Sequence, residues 1–221
     1  MTDHDEGMRL AGAIDTFART RGLEAGGSDD DGWHALLEAM ASTRSGRFAL
    51  LGRPPFVSDA RLAELEQEAR TLRAGARPGS DDPGQAGQFS APVGPAARAL
   101  VRDRGWHAIC RRELSFEPRP PYYASYLYYD RPGAGIVPHV DDPEFAVNVL
   151  FMVSRSGPAG GGAGSATVLH PPGEEPLRLV LAPGEAVLLE ADGLVHAREP
   201  MAPGERVTVL TMGFSRPAPR S

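Results

Sequence analysis

The chain has no lysine: all 23 of its basic residues are arginine, within a length of 221. That absence excludes lysine Schiff-base chemistry and a Walker-type phosphate loop. Any clamp for an anion must therefore be a guanidinium. A single cysteine, Cys110, excludes an internal disulfide and a cysteine-based zinc site. No apolar run approaches the roughly 18 residues of a membrane span. The N-terminal stretch MTDHDEGMRL is acidic and lacks an apolar core, so a secretion signal is not expected and a cytoplasmic location is. Net charge is −6 with no basic cluster, which disfavours nucleic acid as a partner. A small-molecule substrate is the expected partner, and the sequence is silent on oligomeric state.

What is present is enough apolar material, 41%, for one sizeable core. Leu10, Ile14 and Phe17 predict a helix over 5–20. Asp31 caps a second, with Trp33, Leu36, Leu37 and Met40 on one stripe. Residues 1–46 thus read as an N-terminal helical appendage and 47–221 as the main domain. There, 48–51 reads as a strand and 59–73 as a helix capped by Ser58 or Asp59. Residues 74–94 read as a loop, and 95–112 as a helix with a break near Gly105.

Beyond residue 120 short β-rich segments are separated by Pro-Gly turns: 122–129, 136–141, 145–153, 165–170, 176–181, 186–190, 194–198 and 206–214. Eight strands at this spacing predict a mainly β fold with flanking helices, a double-stranded β-helix or jelly roll.

The candidate chemistry lies in His139, Asp141 and His196, with Arg206 ten residues after the second histidine. Two imidazoles and one carboxylate fill one face of an octahedral metal and leave three positions open. That arrangement suits a ferrous ion that takes a bidentate cosubstrate and dioxygen together. A guanidinium a strand away suits the far carboxylate of a 2-oxo diacid. His-x-Asp alone is a weak motif. Its place at a strand end, ahead of the apolar strand Ala146 to Val153, gives it weight.

The segment Tyr129-Asp-Arg-Pro-Gly-Ala-Gly-Ile-Val-Pro-His139-Val-Asp141 resembles the signature of the prolyl-hydroxylase-like branch of the iron(II)/2-oxoglutarate oxygenases. The turn Gly160-Gly161-Gly162 before Ala166 to Leu169, and the spacing from His196 to Arg206, are similar to that family as well. The resemblance implies iron(II) on His139, Asp141 and His196, with 2-oxoglutarate and dioxygen as cosubstrates. It implies Arg206 on the distal carboxylate of 2-oxoglutarate, Thr208 beside it, and Tyr129 reaching the same pocket. The family's second tyrosine, on the strand after His-x-Asp, is missing. Phe151 or Met152 stands in that zone, and Asn148 is expected to face the pocket. Asp141 favours hydroxylation over halogenation, because related halogenases carry a small residue there. Met212 replaces an arginine typical of nucleic-acid dealkylases.

All five tyrosines fall within 122–129. Alternation puts Tyr123 and Leu127 on the face of Tyr129, lining the cavity, and Tyr122, Tyr126 and Tyr128 beneath the helices. Arg131, in the loop entering the metal site, is placed to meet an acidic substrate. The leading reading is a hydroxylase of an unactivated C–H in a small amino-acid-like or natural-product substrate. A peptidyl hydroxylase, a non-enzymatic jelly-roll binding protein and a cupin-type dioxygenase are the alternatives. Segments 74–94 and 155–164 are candidate lids.

Overall fold

A computed structural model describes residues 46–78, 87–142, 145–158 and 164–215. The helices expected before residue 46 and the triglycine turn lie outside the described residues. The chain runs through β1 (Phe48–Gly52), α1 (Asp59–Arg73), β2 (Arg77–Pro78) and β3 (Phe89–Pro92). The helices α2 (Pro95–Val101) and α3 (Arg104–Leu114) follow. Eight strands then complete it: β4 (Arg119–Tyr129), β5 (Ile136–His139), β6 (Val147–Ser156), β7 (Thr167–His170), β8 (Leu177–Leu179), β9 (Ala186–Leu189), β10 (Val195–Arg198) and β11 (Arg206–Ser215).

They form an antiparallel seven-stranded sheet, β1-β9-β6-β11-β4-β3-β2, and a four-stranded sheet, β5-β10-β7-β8. Together these make the jelly roll, mainly β with helices on one side.

Strand alternation sorts the side chains. On β6, Val147, Val149, Phe151 and Val153 join the helix-side core with Leu65, Leu100 and Trp106. Met152 belongs instead to an inner cluster with Tyr129, Val207 and Val209. The tyrosine strand divides the same way. The Tyr128 hydroxyl donates to the Ala69 carbonyl at 2.9 Å, and that of Tyr126 to Glu68 Oε1 at 2.9 Å, so both tie α1 to the sheet. Tyr122 Oη sits 3.1 Å from His107 Nε2.

Ser58 caps α1 by accepting from the Arg61 amide. Two expectations need correction. The stretch 74–94 carries strands β2 and β3, which extend the large sheet past β4. The break in the second helical stretch falls at Arg102–Asp103, not Gly105, because the Asp103 carboxylate accepts from the Gly105 amide and starts a new helix.

Candidate metal centre

β5 and β10 are neighbours in the small sheet, and their register sets His139 directly opposite His196. The ring centroids are 4.4 Å apart. Asp141, just past the end of β5, is held by its amide donating to the Ala191 carbonyl at 2.8 Å. Its Oδ1 lies 3.4 Å from His139 Nε2 and 3.6 Å from His196 Nε2. One donor atom from each residue lies within 4.8 Å of the others.

Each imidazole has its Nδ1 against the carbonyl two residues back, Val137 at 2.9 Å and Leu194 at 3.0 Å. A proton on each Nδ1 leaves both Nε2 lone pairs for a shared ion. Burial holds His196 below its ordinary pKa, against the pull of Asp141. Burial opposes charge on Asp141 too, but His196, His139 and Asn148 together hold its carboxyl below the usual range. A neutral imidazole pair and an ionised carboxylate are the protonation states a divalent metal needs. The donor set suits a ferrous ion.

These side chains open on a cavity of about 350 Å³ between the sheets. Tyr129 lines one part of it, and Ser125, Phe145 and Asn148 another. Burial pushes the Tyr129 phenol well above its ordinary value, so it remains an O–H donor. Tyr123 packs on Phe145, ring centroids 5.6 Å apart, beside the cavity. Phe145 finds room because Gly213 has no side chain: a Cβ there would stand 2.2 Å from the ring.

The cation in the cavity is Arg198, which the sequence reading did not single out. It follows His196 by two residues on β10, so both face inward. Arg198 is 5% exposed. Its guanidinium donates to Ser165 Oγ at 2.8 Å, and to the Ser165 carbonyl and Thr167 Oγ1 at 3.4 Å each. Among the described residues Nε has no hydrogen-bond partner. The guanidinium carbon lies 5.5 Å from the centre of the Tyr129 ring. The nearby buried carboxylate, Glu205, is engaged by Arg155 at 3.0 Å and by the amide and hydroxyl of Ser165. Arg198 thus hydrogen-bonds, among the described residues, to neutral oxygens only, and burial lowers its pKa against the pull of Tyr129, Glu205 and Glu199.

Arg206 and Thr208 are corrected. Arg206 is exposed, and inward-facing Val207 pairs with Tyr129 on β4. Thr208 pairs with Tyr128, whose side chain reaches α1, so Arg206 and Thr208 share the face turned from the cavity. The ten-residue spacing was right for the strand and wrong by one residue for the face, and a one-residue difference reverses every side chain. Arg131 lies over the outer side of Phe89, 4.4 Å from the ring centre. His107 is bonded to Glu117 and Tyr122, and Cys110 is buried, so they form no metal pair.

No family model matches the chain, and no curated protein matches it in sequence. Solved structures do match in fold. A prolyl-4-hydroxylase from Pseudomonas putida superposes with a TM-score of 0.62 at 16% identity, over 82% of this chain and all of that one. A Trichoplax adhaerens prolyl hydroxylase, complexed with a hypoxia-inducible-factor peptide, gives 0.60 at 15% identity, covering 86% and 94%. HygX from Streptomyces hygroscopicus, with nickel, 2-oxoglutarate and hygromycin B bound, gives 0.57 at 12%, covering 77% and 83%. At these identities the likeness is one of fold.

Proposed function

We propose that this chain is an iron(II)- and 2-oxoglutarate-dependent dioxygenase that hydroxylates an unactivated C–H of a small amino-acid-like or natural-product substrate. The observation that carries the reading is the pairing, within one cavity, of a two-histidine, one-carboxylate set with a buried guanidinium that is hydrogen-bonded to no carboxylate among the described residues. The bound iron would supply oxidative decarboxylation of 2-oxoglutarate coupled to C–H oxidation.

His139, Asp141 and His196 would hold the iron and leave three adjacent positions open. Two residues of β-strand span about 6.7 Å, so Arg198 stands one short diacid's length beyond His196. Its unpartnered Nε would meet the far carboxylate, with the Tyr129 hydroxyl as a second donor. Substrate would enter from the other side, past Ser125 and Phe145. Those side chains and half-buried Tyr123 offer hydroxyls and one aromatic wall, which suits a polar small molecule.

Among the fold neighbours, one prolyl hydroxylase is seen with a peptide fragment and HygX with hygromycin B. The modest cavity favours the smaller class. A jelly-roll binding protein would need neither metal ligand set nor anion partner, and a cupin-type dioxygenase would leave Arg198 without a role.

The deciding experiment is anaerobic titration of the protein with ferrous iron and 2-oxoglutarate, followed by visible absorption. A weak metal-to-ligand charge-transfer band at one equivalent is expected. A folded, iron-loaded sample without that band would overturn the reading. Succinate release in the presence of candidate substrates then ranks the substrate classes.

A further inference from the structure

We infer that Asn148 and Thr211 form a positioning pair that commits one oxygen of Asp141 to the metal and keeps the other away from it. The inference rests on the metal reading above and extends it to two residues outside the ligand set.

Both residues project inward from the centre of the large sheet, Asn148 from β6 and Thr211 from β11. They are 4% and 7% exposed. Asn148 Nδ2 donates to Asp141 Oδ2 at 2.7 Å, and Thr211 Oγ1 donates to Asn148 Oδ1 at 2.8 Å. The two orientations of the amide are not equivalent. Turning it over would set its carbonyl oxygen against a carboxylate oxygen in a buried site, at the cost of two like dipoles facing each other. The acceptor-only carboxylate below selects this orientation, and the hydroxyl above, able to donate or accept, completes it by donating to Oδ1 of Asn148.

The consequence falls on Asp141. Oδ2 is occupied by the amide, while Oδ1 is the oxygen within 3.6 Å of both Nε2 atoms. That division sets how many positions the protein consumes. With one donor atom per ligand residue, three of six positions remain. A carboxylate binding through both oxygens would leave two, which a chelating 2-oxo acid fills, so dioxygen would have no place. Both side chains also line the cavity, but the role assigned to them here is exerted through Asp141.

The test uses cobalt(II), whose visible absorption reports coordination number, loaded anaerobically into metal-free protein. Variants are Asn148→Ala, Thr211→Val and Thr211→Ser. Losing such a partner typically weakens metal binding about 10–100-fold. Asn148→Ala is expected to show a loss in that range, with altered band intensities. Thr211→Val keeps the shape without the hydroxyl and should shift both readouts the same way, by less. Thr211→Ser should return them towards wild type. Folded Asn148→Ala or Thr211→Val protein with wild-type affinity and spectrum would overturn the inference. Should Asn148→Ala not fold, the valine and serine pair decides alone. A wild-type protein that takes up no divalent metal would instead sink the function reading on which this rests.

Discussion

His196 and Arg198 stand two residues apart on one strand and face one cavity. One offers a metal-binding nitrogen, and the other is a buried guanidinium that, among the described residues, is hydrogen-bonded to no carboxylate. In the proposed reading β10 thus contributes to both ends of the cosubstrate site, with His139 and Asp141 completing the metal end. Truncating one member of a buried, hydrogen-bonded charge pair costs about 2–5 kcal/mol. Arg198→Ala should therefore weaken 2-oxoglutarate binding by roughly 30-fold or more, read from the charge-transfer titration. Arg206→Ala should leave the affinity within about twofold, as expected for a surface change. The reverse ranking would return the role to Arg206. Arg198→Met is expected to hold or raise the Tm of metal-free protein, since it removes a buried charge without opening a cavity.

The sequence disclosed much of this site because its parts obey local rules. His139 and Asp141 lie two apart where β5 ends, and tyrosine alternation on β4 correctly separated Tyr129 from Tyr126 and Tyr128. Asn148, expected to face the pocket in place of the family's second tyrosine, lines the cavity. Arg206 was not legible because its face depends on the residue count through the turn 199–205, which no local pattern fixes. Alternation applied to the short strand Val195–Arg198 would have found Arg198, since it needs only a step of two from His196. The latch of Arg47 on Glu190, with Arg47 N to Oε2 at 2.9 Å, had no sequence signal at all. Its partners are 143 residues apart.

Glu68 offers a stability test remote from the chemistry. From α1 its carboxylate accepts from the Ala96 amide at 2.7 Å and the Ala97 amide at 3.0 Å, in the first turn of α2. It also accepts from the Tyr126 hydroxyl at 2.9 Å. It thus joins two helices and the large sheet, at the end of a helix where negative charge is favoured. Hydrogen bonds to charged groups contribute about 1.5–3 kcal/mol. Glu68→Ala should destabilise by about that much, lowering Tm by roughly 3–12 °C. A shift under about 1 °C would mean the three bonds are not formed together.

Metal linkage gives a third test, independent of turnover. An ion that binds only the folded state stabilises by about 2.7 kcal/mol at one hundred times its Kd. For a chain of this size Tm should rise roughly 5–11 °C. Ferrous iron or manganese(II) under argon should produce the shift, and a chelator should reverse it. Asp141→Ala should abolish it while leaving the far-ultraviolet circular dichroism intact. An equal shift in that variant would place the ion elsewhere.

His196 contributes to the pH dependence of the metal-free protein. Burial holds its folded-state pKa below the ordinary 6.5. As pH falls through about 6.5, the unfolded chain takes up a proton that the folded chain refuses. Stability from this group is therefore full above that pH and declines below it, until the lowered folded value is reached. Asp141 acts in a separate window. Its folded pKa lies below the ordinary 3.8, so its contribution persists above that value and fades only at still lower pH. Between pH 7.5 and 5.0 the urea midpoint of the wild type should drop. In His196→Asn, where the titrating ring is gone, the drop should be smaller. Parallel curves for the two proteins would mean that the folded imidazole takes up its proton as readily as the unfolded one, so that burial does not lower its pKa.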